Sequence, residues 1–425
     1  MRFPLLALAL VLAASAPYGH AQTAPGVAPL TLAEAMRLAE TAHPAVRARE
    51  AQLAAAEGSR REAASALFNN PSVGTEWTRR RIDTPNVTSN EWQLGLSQPF
   101  ETGGQQGLRR EAAAAGFNAL RAEIDEARRQ ARADAALRFF DVLAAQRRVQ
   151  IEQRSVELFD GTAQAVAQRR AAGEDTRLDA NVALIEAERS RNALAQSRER
   201  WLDARAEFAT VLQLPPSALP DVSGEFGVPA GESPPYGLDQ LLAMAEQLPK
   251  QRALAAREDA ARARVGVAKA SRYPDVTVGF SVGREGLNDA RENITTLSVS
   301  VPLPLFNRND APIGQALSEA TQAELDRTTA TRDTQAQIRR LWSRMASQRE
   351  RVQRLQRAML AAAADNQGLA AKSRQAGQIG LLDQLLVNRQ ALDAERELID
   401  ALADFHNTRI ELEQAAGWPQ EGPAR

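Results

Sequence analysis

The chain has 425 residues, a net charge of −1, no cysteine and three histidines, His20, His43 and His406. Without cysteine there is no disulfide, no thiolate metal site and no thioether-linked lipid. The near-neutral charge offers no concentrated basic surface, so no nucleic-acid partner is expected.

Residues 1–21 join a positive charge at Arg2, an apolar run from Phe3 to Ala16 and the small residues Gly19 and Ala21. That is the pattern of an export signal, to be removed before fold reasoning. The run is too short for a retained anchor, and no later stretch reaches the ~20 apolar residues that a membrane-spanning helix needs.

The remainder of the chain is one unit written twice. "LAEAMRLAE" (Leu32 to Glu40) returns as "LDQLLAMAE" (Leu238 to Glu246) at an offset of 206, and "NPSV" (Asn70 to Val73) returns as "YPDV" (Tyr273 to Val276) at 203. "LGLSQPF" (Leu94 to Phe100) returns as "LSVSVPL" (Leu297 to Leu303) at 203, and "AGEDTRLD" (Ala172 to Asp179) as "AGQIGLLD" (Ala376 to Asp383) at 204. Four landmarks in one order at a near-constant offset define a first repeat at 22–213 and a second at 238–417, with a tail at 418–425. Between them the link 214–237 carries Pro215, Pro216, Pro220, Pro229, Pro234 and Pro235, which forbid a continuous helix.

Each repeat reads helix, strand, loop, strand, very long helix, tight turn, helix. Helices are expected at 32–67, 105–170 and 176–213, then at 238–270, 312–375 and 380–416. At ~1.5 Å per residue the two longest reach on the order of 100 Å, beyond any ordinary globular core. The shorter helices match them in pairs, 176–213 with 238–270 and 380–416 with 32–67, so each pair is expected end to end along one long helix. Heptad steps at Ile338, Leu341, Met345, Val352, Leu355 and Met359, and at Val149, Val156, Phe159, Ala163 and Val166, predict coiled-coil seams. Ala187, Leu194, Trp201 and Phe208 recur every seven residues, as do Arg191, Arg198 and Arg205. The arginines read either as a solvated face or as the basic lining of an aqueous channel.

The strands alternate strictly. Trp92, Leu94 and Leu96 share a face, as do Val276, Val278, Phe280 and Val282, and Leu297, Val299 and Val301; Val73, Thr75 and Trp77 do so more weakly. Stretches 81–90 and 285–292 read as the loops between them. The fold class is thus mainly α with a small β part of four strands. About ten residues is the length of a tilted strand crossing an outer membrane. Open edges are not tolerated in lipid, so such strands need other copies of the chain to close a barrel. The competing reading is a small soluble β-layer with its apolar face packed on helix ends.

This layout resembles the TolC-type outer-membrane efflux proteins from about Leu30 to Gly417. "LTLAEAMRLAETAHPAVRA" (Leu30 to Ala48) is the most specific local match. "SQPFETGGQQGLR" (Ser97 to Arg109) and "VSVPLPLFNRNDAPIGQA" (Val299 to Ala316) are most similar to the CzcC-like and CusC-like heavy-metal resistance branch. The resemblance implies a homotrimer with a twelve-stranded barrel in outer-membrane lipid and an α-helical tunnel through the periplasm. It implies a periplasmic adaptor and an inner-membrane proton-driven pump of the RND class as partners, and passive conduction with no cofactor. Many relatives carry a lipidated N-terminal cysteine, which this sequence lacks. It also places the adaptor contact and the gate at the helix-hairpin turns, here "RRAAGEDTRLD" (Arg169 to Asp179) and "RQAGQIGLLD" (Arg374 to Asp383).

Gly173 and Gly377 suit helix ends that need positive φ, and Asp175 or Thr176, and Gly380, mark re-entry into helix. Asp175, Asp179 and Asp383 could form a cation-selecting ring, or Asp179 and Asp383 could simply cap their helices. "ETGGQQG" lacks the lysine of a phosphate loop, and neither His43 nor His406 has a second histidine nearby. No catalytic set is evident, so no enzyme is expected. Organic compounds as alternative cargo, or a soluble periplasmic adaptor with long hairpins, are the competing functions.

Overall fold

The structure, a computed structural model, describes residues 29–83, 86–228, 234–287 and 290–419. The expected export signal and most of the tail lie outside the described residues.

The first expected helix forms in three pieces, α1 (Leu32–Ala42), α2 (Pro44–Ala51) and α3 (Leu53–Ala64). Thr31 opens α1 with a capping box: the Glu34 N–H donates to Thr31 Oγ1 at 3.4 Å and the Thr31 N–H donates to the Glu34 carboxylate at 3.0 Å. Pro44 disfavours helical backbone at the residue before it, and His43 is accordingly extended, with ψ 132°. Its Nδ1 accepts from the Ala45 N–H at 3.2 Å and so caps α2, which accounts for this histidine without a metal.

Strands β1 (Ser72–Asp83) and β2 (Asn86–Phe100) lead into α4 (Gln105–Ala171), an unbroken helix of 67 residues. Helix α5 (Arg177–Val211) returns along it. After the link come α6 (Leu238–Ala245) and α7 (Pro249–Ala270), strands β3 (Val276–Glu285) and β4 (Glu292–Ser300), α8 (Asp310–Arg354), α9 (Leu360–Gln375) and α10 (Leu381–Ala416). A π-helical turn, Leu355–Met359, joins α8 to α9. That wide turn ends the expected heptad. Ile338, Leu341, Met345, Val352 and Leu355 are buried, but Met359 is rotated out and 40 % exposed.

Helices α5 and α7 both pack on α4, and α10 packs on α8 and α9, as the length matching requires. Helices α1–α3 also pack on α4 and not beside the second long helix. The reason lies at the belt: Leu30 forms a parallel bridge with Val222 of the link, which ties the chain start to the first repeat. Met36, Phe139, Val142, Phe208 and Val222 build one core there. Tyr236, Leu241, Ile338, Met345, Leu402 and Phe405 build a second, and Phe226 of the link packs against both. Full burial of Phe139 or Phe208 contributes on the order of 2–3 kcal/mol each. Nearer the turns, Ile151, Phe159 and Val166 of α4 meet Ala187 of α5 and Leu381, Leu385 and Leu392 of α10.

The sheet is antiparallel in the order β1-β2-β3-β4, so strands of both repeats join in one layer. Both hairpins run further than the alternation suggested. β1 continues to Asp83 and β2 resumes at Asn86, while β3 ends at Glu285 and β4 resumes at Glu292, so much of the expected loop 81–90 is strand.

Candidate channel surfaces

Register places the alternating residues on two opposite faces. Leu96 lies opposite Val73 and Phe280, Leu94 opposite Val282, Trp92 opposite Trp77, and Val278 opposite Val299. Val276 and Val301 end the same face, Val301 one residue beyond β4. No helix covers it: Trp77 and Leu297 are each 73 % exposed and Val299 is 66 % exposed. Leu94, Leu96, Trp92, Phe280 and Val301 are also exposed, while Val276, Val278 and Val282 are partly covered by their neighbours. The opposite face is polar and internally satisfied. Ser72 and Ser97 share a hydrogen bond of 2.7 Å, and Gln93 Nε2 donates to Ser281 Oγ at 2.7 Å. The outer edges of β1 and β4 have no strand partner in the chain.

At the hairpin end the two faces carry opposite charge. On the polar face Glu91 is buried, paired with Arg80 at 3.2 Å, and Glu285 lies directly opposite Glu292. On the apolar face Arg79 and Arg81 follow Trp77, and Arg284 lies opposite Trp92.

Below the sheet, α3, α4, α7 and α8 line a concavity of about 1170 Å³. Its charges are paired across helices, Arg49 with Glu123 at 3.0 Å and Arg264 with Glu319 at 3.5 Å. At mid-height the His406 ring is stacked on Phe140, with centroids 4.3 Å apart, and on Phe226 at 5.4 Å. Burial, with the nearby Arg409 cation, pushes His406 down to about 3. Two turns on, Glu413 accepts from the Tyr236 hydroxyl at 3.1 Å, and burial raises it to about 6.

At the far end, Gly173 has φ 83° and Gly377 φ 72°, the left-handed conformation that glycine adopts without strain. Each closes its helix in the same way: the Glu174 N–H donates to the Arg169 carbonyl at 2.9 Å and the Gln378 N–H to the Ser373 carbonyl at 2.8 Å. Asp179 accepts from the Thr176 N–H at 3.0 Å and its hydroxyl at 2.6 Å, bonds that hold its carboxyl below the usual range. Asp383 accepts from the Gly380 N–H at 3.1 Å. Both aspartates therefore cap helices. Asp175 is different. Its buried carboxylate lies 2.8 Å from Arg374 and 3.3 Å from Arg169, so it clasps one turn to the other.

The three arginines at heptad spacing part company. Arg191 pairs with Asp160 at 2.9 Å and with Glu188, and Arg198 donates to Gln153 at 3.1 Å; both are exposed on the seam between α4 and α5. Arg205 does not line a channel. Its Nε donates to the Pro220 carbonyl at 3.2 Å and its guanidinium lies 3.1 Å from Asp221, so it fastens the link to α5. Among the described residues no three His, Cys, Asp or Glu side chains gather in a metal-holding group, and no helix is long and apolar enough to cross a membrane.

Residues 35–212 and 239–418 match the family described as outer membrane efflux protein, one match to each repeat. The chain belongs to the outer membrane efflux protein family. This efflux protein is 27 % identical to the cobalt-zinc-cadmium resistance protein CzcC of Cupriavidus metallidurans, over 92 % of its own length and 90 % of the relative's. Its fold matches the outer-membrane channel OprN with a TM-score of 0.78 at 20 % identity, covering 91 % of this chain and 90 % of the other. It matches CusC with a TM-score of 0.75 at 16 % identity, covering 94 % and 95 %. The family is one of outer-membrane channels and not of enzymes, which removes the soluble adaptor as a reading.

Sequence reasoning missed the buried carboxylates that bind the efflux protein's two repeats together. Glu186 of α5 receives Arg389 of α10 at 2.9 Å, and Glu152 of α4 receives Arg396 at 2.6 Å. Residues 186 and 389 differ by 203, the repeat offset, so that pair joins equivalent positions of the two copies and was open to discovery from the duplication.

Proposed function

We propose that this channel is the outer-membrane duct of a three-part efflux system and passes heavy-metal cations outward. The observation that carries the reading is the uncovered apolar face of a four-stranded sheet whose outer edges are free. Lipid satisfies that face, and two further copies of the chain satisfy the edges by closing a twelve-stranded barrel, since open edges are not tolerated in hydrocarbon. Leu94, Leu96, Phe280, Leu297 and Val299 then face lipid, and the serines and glycines between them line water. The helices continue the duct through the periplasm, where the turns bearing Gly173, Asp175 and Gly377 meet an adaptor and an RND pump. Metal cargo is supported by the likeness to CzcC and by paired charges along the concave wall, which leave cations little to bind.

Deletion of the gene tests the cargo. Increased sensitivity to zinc, cobalt or cadmium with unchanged sensitivity to dyes and detergents is expected, and the reverse pattern transfers the duct to organic compounds. A charged residue at Val278 or Val299 is expected to abolish outer-membrane assembly; normal assembly of both variants would remove lipid from that face.

A further inference from the structure

The apolar face does not end at the tryptophans. Towards the hairpin turns it passes from Leu94 and Leu96 to Trp77 and Trp92, which lie opposite one another, and then to Arg79 and Arg81 on β1, with Arg284 in the tryptophan row on β3. All three arginines are exposed. Arg81 has only a weak solvent-exposed contact with Asp83 at 3.5 Å, and among the described residues Arg79 and Arg284 have no ion pair. Arg80, one position away on the opposite face, is neutralised by buried Glu91, and that face also carries Glu285 and Glu292. The hairpin end is therefore basic on the outside and acidic on the inside.

Tryptophans on the outward face mark the depth at which hydrocarbon gives way to headgroups. Side chains one step beyond them lie among the headgroups, and uncompensated guanidinium groups there meet phosphate as forked hydrogen-bond donors. We infer that Arg79, Arg81 and Arg284 form a binding surface for phosphorylated lipid headgroups around the outer rim of the barrel. This rests on the membrane reading proposed for the sheet. The acidic inner face keeps the same anions out of the mouth, so the surface recognises lipid from the side and not solutes in transit.

The test uses the full chain in non-ionic detergent and two probes, lipid A carrying both phosphates and the same lipid with its phosphates removed, with bound lipid counted by native mass spectrometry. Each arginine near an anionic surface contributes about a fivefold gain in affinity, so R79Q/R284Q is expected to bind the phosphorylated probe roughly 25-fold more weakly and R79Q/R81Q/R284Q about a hundredfold. R80Q should bind as the wild type does, and inorganic phosphate should not displace the lipid. Equal binding of both probes by the wild type, undiminished binding by the triple variant, or displacement by inorganic phosphate would overturn the inference. Insertion into phosphatidylcholine vesicles is followed in parallel: insertion without phosphate preference removes the rim surface alone, whereas failure to insert removes the membrane reading with it.

Discussion

Mid-height stability should respond to acid through two buried groups of opposite sign, His406 and Glu413 on α10. His406 is sandwiched by Phe140 and Phe226 and is neutral when folded, because burial holds it near 3 against an ordinary 6.5. The unfolded chain takes up the proton first, so the stability this ring confers is complete above pH 6.5 and falls as pH drops towards 3, by about 1.4 kcal/mol per unit once below 6.5. Glu413 is raised by burial to about 6 against 4.5, so the folded state holds its proton more tightly. Its burial penalty is complete above pH 6 and is relieved as pH falls to 4.5, a gain of roughly 2 kcal/mol. Between neutrality and about pH 5 the two largely offset in the wild type. His406→Phe keeps the aromatic stack and removes the loss, so its denaturant midpoint in detergent should rise relative to wild type on acidification, by roughly 2 kcal/mol at about pH 5. Glu413→Gln should show the reverse, a protein stabilised at neutral pH and destabilised relative to wild type by acid. Parallel pH profiles for wild type and both variants would refute the assignment of these groups.

Three other outcomes are expected. Asp175→Asn leaves Arg169 and Arg374 without their shared carboxylate and should loosen the two turns by roughly 2–4 kcal/mol, read as faster amide exchange at 169–179 and 374–383 with the sheet unchanged. Gly103→Val should destabilise the joint between β2 and α4 by about 1–3 kcal/mol in thermal unfolding, because a Cβ there would lie 2.8 Å from that of Tyr273. Glu292→Gln removes a like charge directly opposite Glu285 and should raise the unfolding temperature slightly, a gain of less than about 1 kcal/mol that vanishes at high salt.

Much of this architecture is written in local chemistry. Thr176 with Asp179, and the glycines at 173 and 377, mark the hairpin turns to the residue, because caps and left-handed glycines act within four positions of themselves. Alternation found the strands wherever one face is apolar, and lost them at Arg79–Asp83 and Asn86–Asn90, where both faces are polar. Three features had no local signature. Nothing in "LQRAM" announces a π turn, Arg205 looked like its heptad neighbours until the link folded onto it, and Asp175 finds Arg374 across 199 residues. Each depends on what the fold brings alongside, which a single stretch of sequence does not contain.

The π-helical turn at Leu355–Met359 also bears on the ancestry of the chain. α4 has no such turn over its 67 residues, so the duplicate halves have drifted out of phase with one another along their length. Gene conversion between them, which would keep twins alike, has become costly: transplanting one long helix into the other's place would set every seam residue beyond residue 355 about a quarter turn wrong. The two halves are held to separate histories, and a substitution harmless in one is no guide to its counterpart.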